Sequence, residues 1–344
     1  MGVDILPLVT SIVTFYGIYL ILALSFNIEY GFAGQPNFGK VFFYSIGAYV
    51  AGNFTANMLM RASGVTGVDF CSDLAAEVRF KVAMSKPWLI IALFLLSLLI
   101  AAAVGGVFGY LTSYPALRLS GDFLAIVLLA FGEIGRVFAR NYTPLVCGVY
   151  GLSGVPNPLV WIGDPRMARL AYSAIVLAIA FGMYLLTERL VNSPYGRLLK
   201  SIRDDELVSS VMGKVTPRVK GSALIIGSSM AAVAGVLYAF YVQTVVADDF
   251  IPIVTFVVVT MVMLGGVANN KGTLLGAMVM TLMDRLTRAS FLRILGISVG
   301  FDISYVRYIV TGLLIILILM VKPEGLISEK PLKTPAIEEA EKLS

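Results

Sequence analysis

The chain of 344 residues is 58% hydrophobic and only 14% charged, with a mean hydropathy of +0.88. A soluble domain of this length carries about 25% charged residues, so the composition excludes a soluble globular fold and indicates a membrane protein. The sequence has no His and two Cys, which excludes His-based triads, His metal ligands and a four-thiolate zinc site within one chain. We expect no catalytic site, metal or cofactor in this chain.

The net charge of +5 comes from basic residues that are scattered through short loops between apolar runs. This distribution is typical of the positive-inside rule for membrane proteins. Nucleic-acid binding would need a basic stripe with interleaved aromatic residues, and the sequence contains none. We therefore expect the partner of this surface to be lipid and not nucleic acid.

Apolar runs of about 20 residues, long enough to cross a bilayer, follow one another along the chain. The first begins without a preceding Lys or Arg and is followed by no small-residue cleavage site, so we interpret it as a retained span and not a signal peptide. The pattern predicts an all-α polytopic integral membrane protein with about eight to ten transmembrane helices. The runs lie near 5–28, 38–60, 87–112, 121–140, 170–190, 220–243, 251–268 and 305–321, with a shorter one near 272–288.

Between the first two runs, residues 34–41 read GQPNFGKV. This stretch matches the phosphate-binding pattern G-x-x-x-x-G-K-[ST], except that Val41 replaces the hydroxyl residue that binds magnesium. A phosphate loop joins a strand to a helix in a soluble α/β domain, whereas this stretch joins two membrane segments. We therefore conclude that it does not bind nucleotide.

The same region interrupts the helical pattern with glycine, proline and polar residues. Non-helical backbone at membrane depth needs protein or a water-filled cavity to satisfy it. Two interpretations stay open: a simple interfacial turn, or a broken or re-entrant segment near 31–40 beside a transport path. The helix breakers are Gly31, Gly34, Pro36 and Gly39, and the polar side chains are Gln35, Asn37 and Lys40.

Within the run 121–140, Glu133 and Arg136 are spaced i, i+3 and can pair on one helix face. An ionisable residue inside a span is a functional candidate by default. A static ion pair that fixes helix packing is the favoured interpretation, since pairing makes the burial tolerable. Glu133 is the one intramembrane carboxylate evident in the sequence, which argues against a proton relay.

Small residues in two other runs predict close helix packing. AAAVGGVFGYL places Gly105, Gly106 and Gly109 on one face, and Ala231 and Gly235 repeat the small-x-x-x-small spacing. We assign these glycines to packing and not to a ligand.

MLGGVANNKGTLLGA, at 263–277, is a second stretch where glycines interrupt an apolar run. Two such breaks in separate halves suggest an internal repeat, which would point to a transport path. The favoured interpretation of Asn269, Asn270 and Lys271 is nevertheless a cytoplasmic loop tip.

The loop 191–219 and the residue that follows it hold six basic residues, which places this segment in the cytoplasm. Counting spans from it puts the C-terminal tail on the same side and the loops 61–86, 141–169 and 244–250 outside. Cys71 and Cys147 both fall in outer loops, where oxidation is permitted, so either a disulfide or two free thiols is compatible with the sequence. The basic residues are Arg197, Lys200, Arg203, Lys214, Arg218 and Lys220.

Several blocks, in order, resemble permease subunits of branched-chain amino acid ABC importers. GFAGQPNFGKVFFYSIGAYVAG resembles the opening of their second span, and ALRLSGDFLAIVLLAFGEIGRVFARN their central helix. SPYGRLLKSIRDDELVSSVMG resembles their coupling loop, with KGSALIIGSSMAAVAGVLYAF as the next span. MLGGVANNKGTLLGA and KPEGL complete the set. The RL-x-G…FGEI and IRDDE blocks are similar to the larger of the two permease types that pair in these importers.

The resemblance implies a transport subunit of the cell (plasma or inner) membrane that contains no ATPase of its own. It further implies a second, related permease, two cytoplasmic subunits that bind ATP and Mg, and an external substrate-binding protein. Branched-chain amino acids, or a similar small amino acid, are the implied substrates.

Three departures from the family pattern bear on the substrate: Lys40 where a His or small residue is common, Leu128 for a usual Thr, and Val146-Cys147-Gly148 for a Thr-Gly-Gly pattern. Urea or a short amide is therefore the alternative substrate within the family. An ion-coupled secondary transporter is a further alternative, but it would require carboxylates clustered in two or more spans. An intramembrane enzyme would need a His, Cys or paired-carboxylate site at membrane depth.

The segment 193–213 is predicted to form one helix, with Ser193 as its cap, Pro194 at its first position and Gly213 at its end. Its apolar residues recur at helical spacing, while Asp204, Asp205 and Glu206 form an acidic run. We predict a coupling helix whose apolar residues enter a groove of the ATPase. A helix resting on the lipid surface is the alternative.

Two sets of candidate site residues result, within a permease domain at 1–327 that is followed by a polar cytoplasmic tail at 328–344. The translocation-path candidates are Gln35, Asn37, Lys40, Tyr44 and Glu133. The candidates for coupling to the ATPase are Leu198, Ile202, Arg203, Asp204, Glu206 and Val208.

Overall fold

The structure, a computed structural model, describes residues 6–65, 67–116, 119, 121–287, 309, 312–313, 316–317, 320–322 and 324–329. Apart from turns and irregular segments, the described chain is helical except for two antiparallel strands of two residues each, β1 (Leu152–Ser153) and β2 (Thr244–Val245). The all-α prediction is confirmed. The helices are α1 Leu6–Phe26, α2 Lys40–Ser63, α3 Asp73–Ser85, α4 Pro87–Ala116, α5 Gly121–Asn141, α6 Thr143–Val146, α7 Pro165–Asn192, α8 Pro194–Asp204, α9 Glu206–Val211, α10 Thr216–Val242, α11 Pro252–Gly265 and α12 Asn270–Leu286.

Five helical segments in the described part of the chain are long and apolar enough to cross a membrane, which confirms a polytopic protein. The predicted runs 38–60, 121–140 and 272–288 form α2, α5 and α12, which are not among these five segments. The run 305–321 lies mostly outside the described residues, so the total of about eight to ten spans stays a prediction. The five segments are Leu6–Phe32, Pro87–Tyr114, Pro165–Asn192, Thr216–Val242 and Ala247–Gly265.

Helix α10 lies at the centre of the bundle and packs on α2 and α4. Small residues make this approach possible, because a Cβ at Gly47 would lie 1.8 Å from the Ala232 oxygen and one at Gly235 2.0 Å from the Tyr44 oxygen. A Cβ at Gly105 would lie 2.6 Å from the Ala232 side chain. The predicted packing role of Gly105 and Gly235 is confirmed, and larger residues at these positions or at Gly47 would force the helices apart.

The loops predicted to lie outside contact one another. Cys71 and Cys147 form a disulfide with their Cα atoms 5.6 Å apart, which resolves the alternative that the sequence left open. β1 and β2 pair the loops 141–169 and 244–250. These contacts agree with the alternation of spans that the basic loop predicted.

Arg79 of α3 joins the loop 61–86 to the loop 141–169 by hydrogen bonds. It is 1% exposed, donates to the backbone oxygen of Ser153 at 2.6 Å and to that of Phe70, and lies over the Phe70 ring. Burial lowers the pKa of Arg79 to about 10, which leaves the guanidinium charged near pH 7.

Candidate functional site

The first helix break is a folded and buried structure. α1 runs into a π-helical turn at Asn27–Phe32, and the chain is non-helical until α2 begins at Lys40. The backbone folds back on itself, since the Gln35 backbone N–H donates to the backbone oxygen of Glu29 at 2.8 Å. Gln35 is 3% exposed and Asn37 is fully buried. The predicted break near 31–40 is therefore present, and it is buried within protein rather than an exposed turn.

A buried ion pair closes this break. The Lys40 ammonium lies 2.6 Å from a Glu29 carboxylate oxygen, and the two side chains are 1% and 0% exposed. Gly227 of α10 provides the room, because a Cβ there would lie 2.1 Å from the other Glu29 oxygen. Since the Lys40 amine is occupied by Glu29 and the Val41 N–H by Thr255 Oγ1, this stretch does not have the geometry of a phosphate loop.

Glu29 corrects the expectation that Glu133 is the one intramembrane carboxylate. The sequence reasoning missed Glu29 because it lies just beyond the apolar run 5–28, and because its partner is eleven residues away across the break. Pairs at i, i+3 or i, i+4 are the ones that a helical pattern can reveal. The available signal was a lone acidic residue between an apolar run and a glycine-rich stretch.

Buried polar atoms around the pair have no well-formed hydrogen bond among the described residues, although the Asn37 side chain approaches the Glu29 carboxylate. They lie on three side chains that face the break, and buried polar groups of this kind are normally satisfied by protein or ordered water. The arrangement gives the break spare donors and acceptors for water or a polar solute. The atoms are Glu29 Oε1, Gln35 Oε1 and Asn37 Nδ2.

The other two translocation-path candidates lie elsewhere. Tyr44 is 4% exposed and packs against the rings of Tyr238 and Phe250, with centroids 5.5 and 5.2 Å away. Glu133 is 41% exposed and pairs with Arg136, which also pairs with Asp248 of the outer loop 244–250. The predicted Glu133–Arg136 pair is thus confirmed. Tyr44 lies one turn after Lys40 on α2, and among the described residues no side-chain hydrogen bond or ion pair joins Tyr44 or Glu133 to Gln35, Asn37 or Lys40.

The second break, 266–269, separates α11 from α12. Asn269 caps α12 by accepting from the backbone N–H groups of Lys271 and Gly272 at 3.0 and 3.2 Å. Lys271 is exposed, as expected for a loop tip, but Asn270 is only 3% exposed and donates to Glu188 of α7 at 3.0 Å. The loop-tip interpretation is therefore wrong for Asn270.

Asn27 joins the two breaks. Its side-chain oxygen accepts from the Ala268 backbone N–H at 2.9 Å, and its amide donates to the Asn270 side-chain oxygen at 3.1 Å. Asn27 is fully buried. Gly31 lies against the same place, since a Cβ there would be 2.7 Å from the Ala268 nitrogen. The glycine-broken stretches of the two halves thus form a single buried polar unit.

The predicted coupling helix 193–213 is two helices, α8 and α9. Ser193 caps α8 as predicted, by accepting from the Tyr195 N–H at 3.2 Å. Asp205 separates the two helices, because its carboxylate accepts from the Val208 N–H at 2.9 Å and starts α9. The prediction of a single continuous helix is therefore wrong. The segment consists of two helices joined at Asp205, and α8 and α9 together are called the coupling hairpin below.

The separation of the segment into α8 and α9 changes which of its apolar residues face outward. Leu199 and Ile202 are 1% and 2% exposed and pack into the permease itself. Ile202 is therefore not an anchor for a partner, which corrects its assignment to the ATPase contact, and Leu198 is half-buried. The outward apolar surface belongs mainly to α9 and is formed by Leu207, Val208, Val211 and Met212.

The acidic run has partners within the chain. Asp204 pairs with Arg203 at 3.0 Å, and Glu206 pairs with Lys220 at the start of α10. Together with the Asp205 cap, these contacts stabilise the hairpin. Asp204 and Glu206 are both exposed, so they can still face a partner.

Arg203 connects α8 to the first break. It donates to the Gly31 backbone oxygen at 2.8 Å and pairs with Glu329 of the C-terminal segment at 2.9 Å. Burial lowers the pKa of Arg203, but hydrogen bonds and charges of Glu329 and Asp204 outweigh burial and raise it overall. The guanidinium is a permanent cation at the junction of three segments.

Comparison with known proteins shows the family of the chain. Residues 8–319 match the family model described as the permease component of branched-chain amino acid transport systems. The chain belongs to this permease family. A probable branched-chain amino acid transport permease protein LivM of Methanocaldococcus jannaschii is 35% identical over 340 residues, which cover 97% of this chain and 96% of that protein.

Both permease types of the high-affinity branched-chain amino acid system are among the relatives. LivM of Escherichia coli is 27% identical, covering 92% of this chain and 69% of that protein, and LivH of Salmonella typhimurium is 25% identical, covering 92% of each. No solved structure matches the chain. As a member of the permease family, and similar to LivM, the chain is a multi-pass transport component of the cell membrane and not a catalytic enzyme.

Proposed function

We propose that this chain is the membrane-spanning subunit of an ATP-driven importer that moves branched-chain amino acids into the cytoplasm. The substrate named for its relatives supports this assignment. The chain would pair with a second, LivH-like permease and dock two cytoplasmic subunits that bind ATP and Mg. An external binding protein would deliver the substrate.

The observation that carries this proposal is the contact of Arg203 with the Gly31 oxygen at 2.8 Å. It joins a cytoplasmic hairpin to a broken transmembrane segment with unsatisfied buried polar groups. Broken helices of this kind line transport paths in other membrane proteins. A movement of the hairpin would therefore reach the break directly, which is the mechanical connection that an ATP-driven importer requires.

The outward surface of α9 supports a protein partner at the hairpin. Leu207, Val211 and Met212 are 75%, 81% and 75% exposed, and exposed apolar side chains in a group mark interaction sites. Charges of both signs flank them, at Asp204, Glu206 and Lys214. A groove on an ATP-binding subunit would take the apolar side chains and use the charges to set the register.

Reconstitution tests the function. The chain would be purified with its partner permease and ATP-binding subunits, placed in proteoliposomes, and supplied with binding protein and radiolabelled leucine. We expect leucine uptake that requires ATP hydrolysis and is not abolished by a proton ionophore. Uptake that follows a proton or sodium gradient without ATP would instead support the alternative of a secondary transporter.

The same vesicles decide between the two substrate classes. Urea or a short amide is the alternative substrate, because Lys40, Leu128 and Cys147 depart from the family pattern. We expect unlabelled isoleucine and valine to compete with leucine, and urea to have no effect even in large excess. Labelled urea uptake in the absence of leucine uptake would overturn the substrate assignment and keep the permease assignment.

A further inference from the structure

We propose that Glu329 is a positioning residue that clasps the coupling hairpin to both helix breaks, so that the three move together during transport. This inference rests on the proposed function, since it explains how ATPase movement would reach the transport path. It gives a defined role to residues 324–329, where the permease domain passes into the polar tail.

Glu329 makes two ion pairs with α8. One carboxylate oxygen lies 2.8 Å from the Lys200 ammonium, and the other lies 2.9 Å from the Arg203 guanidinium. The three side chains are 27%, 16% and 23% exposed. One carboxylate thus bridges two neighbouring cations at a partly buried position, where charge pairs are screened less than at the open surface.

The backbone before Glu329 is fastened to the second break. The N–H groups of Leu326 and Ile327 donate to the oxygens of Leu264 and Gly265 at 2.8 and 3.0 Å. Asn269 donates to the Ser328 oxygen at 3.1 Å. The fit is close, because a Cβ at Gly266 would lie 2.1 Å from the Ile327 oxygen. The segment is therefore held along the end of α11 and the start of α12.

The two cations that Glu329 binds also contact the first break. Arg203 donates to the Gly31 oxygen, and the Lys200 ammonium lies 5.4 Å above the Phe32 ring. Asn27 then joins the first break to the second. The contacts form a closed circuit from α8 to the first break, to the second break, to the C-terminal segment and back to α8.

Because α8, the two breaks and the C-terminal segment contact one another in a ring, a movement of α8 reaches the breaks by two routes, whereas a linear series of contacts provides one. With Glu329 present, a displacement of α8 acts on both breaks at once. Without it, Lys200 and Arg203 repel each other and, of the two breaks, α8 retains direct contacts only to the first. The second break would then be free to lag behind the hairpin.

Hydrogen exchange tests whether Glu329 holds α8 to both breaks, without any transport assay. The full chain in lipid nanodiscs, as wild type and as Glu329→Gln, would be followed by mass spectrometry. We expect exchange to rise about fivefold or more in peptides that cover 264–272 and 27–35, as well as in the C-terminal segment. An increase confined to the C-terminal segment would overturn the proposal. Lys271→Gln, which removes an exposed charge from the same region, should change none of these peptides.

Transport then tests the positioning role. In the reconstituted importer, we expect Glu329→Gln to retain both ATP-binding subunits but to hydrolyse about fivefold or more ATP per leucine transported. Glu329→Asp, which keeps the carboxylate that both cations bind, should restore part of the wild-type ratio. An unchanged ratio in Glu329→Gln would overturn the proposal. Absence of leucine uptake by the wild-type complex would instead count against the proposed function, and the exchange result would stand separately.

Discussion

Asn27 and Asn270 share a hydrogen bond of 3.1 Å across 243 residues of sequence, and it joins the two helix breaks. The bond is buried, and the Ala268 N–H donates to the same Asn27 side chain at 2.9 Å. Two stretches that look alike in the sequence therefore meet in the fold. The internal repeat stays a hypothesis, but the contact shows that the breaks serve one place in the molecule.

Replacement of Asn27 by Leu should destabilise the permease. The change leaves the Ala268 N–H and the Asn270 side-chain oxygen without their buried partner, and each buried group left unsatisfied costs about 1–3 kcal/mol. We expect a lower thermal unfolding temperature in nanodiscs. Asn141→Ala is the control, because Asn141 is exposed and bonds only within its own helix. Equal unfolding temperatures for wild type and Asn27→Leu would contradict the structural role of this junction.

The Glu29–Lys40 pair makes a second prediction about stability. Glu29→Gln leaves a buried ammonium without its counter-charge, which costs about 3–5 kcal/mol. The double variant Glu29→Gln/Lys40→Met removes both charges and should recover most of this loss. Thermal unfolding of the three proteins in nanodiscs measures the difference.

A control pair lies at the surface. Lys81 and Glu77 are paired at 2.7 Å but are 74% and 61% exposed, so Lys81→Met should change the stability by less than about 1 kcal/mol. A double variant that is no more stable than Glu29→Gln would contradict the interpretation of Glu29 and Lys40 as a neutralised buried pair.

Hydropathy and glycine patterns were enough to predict the helical membrane fold, the first break and the packing faces of the spans. These are local properties, because a span or a break is determined by the residues within it. Gly105 and Gly235 were assigned correctly for the same reason, since a helix surface of small residues has one common use. The ion pair of Glu133 with Arg136 was also predictable, because both residues lie on one helix face.

The parts that the sequence did not reveal depend on the path of the chain between elements. Glu29 meets Lys40 only because the π-helical turn and the non-helical residues after it fold back. Periodicity identifies an apolar face but not what covers it, which is why the prediction of Ile202 as an outward anchor is wrong. The break at Asp205 reorients the hairpin, so that Ile202 faces the permease while Val211 faces outward.

The disulfide between Cys71 and Cys147 should stabilise the outer side of the protein. It closes a segment with a sequence separation of 76 residues, for which the chain-entropy model gives a contribution of about 4 kcal/mol. Non-reducing mass spectrometry of a tryptic digest should find the linked peptides, and reduction should lower the unfolding temperature. Cys71→Ser/Cys147→Ser should behave like the reduced protein. Two free thiols in protein purified without reductant would contradict the bridge.

The division of the coupling hairpin leads to a paired prediction on Ile202 and Val211. Ile202 is 2% exposed and Val211 is 81% exposed, although both belong to the apolar pattern of one segment. Val211→Asp should fold normally but release the ATP-binding subunits and stop uptake, because a charge enters the apolar docking surface. Ile202→Asp should lower the unfolding temperature of the permease itself, because an unpaired charge is buried within it. Co-purification and thermal unfolding separate the two effects.

Val65→Asp is the control, because it makes the same change as at Val211 but at a 43% exposed position in the loop 61–86 on the opposite side. It should leave both properties unchanged. If Val211→Asp kept its ATP-binding subunits and normal uptake, α9 would not be the docking surface, and a helix lying on lipid would be the better interpretation of the hairpin.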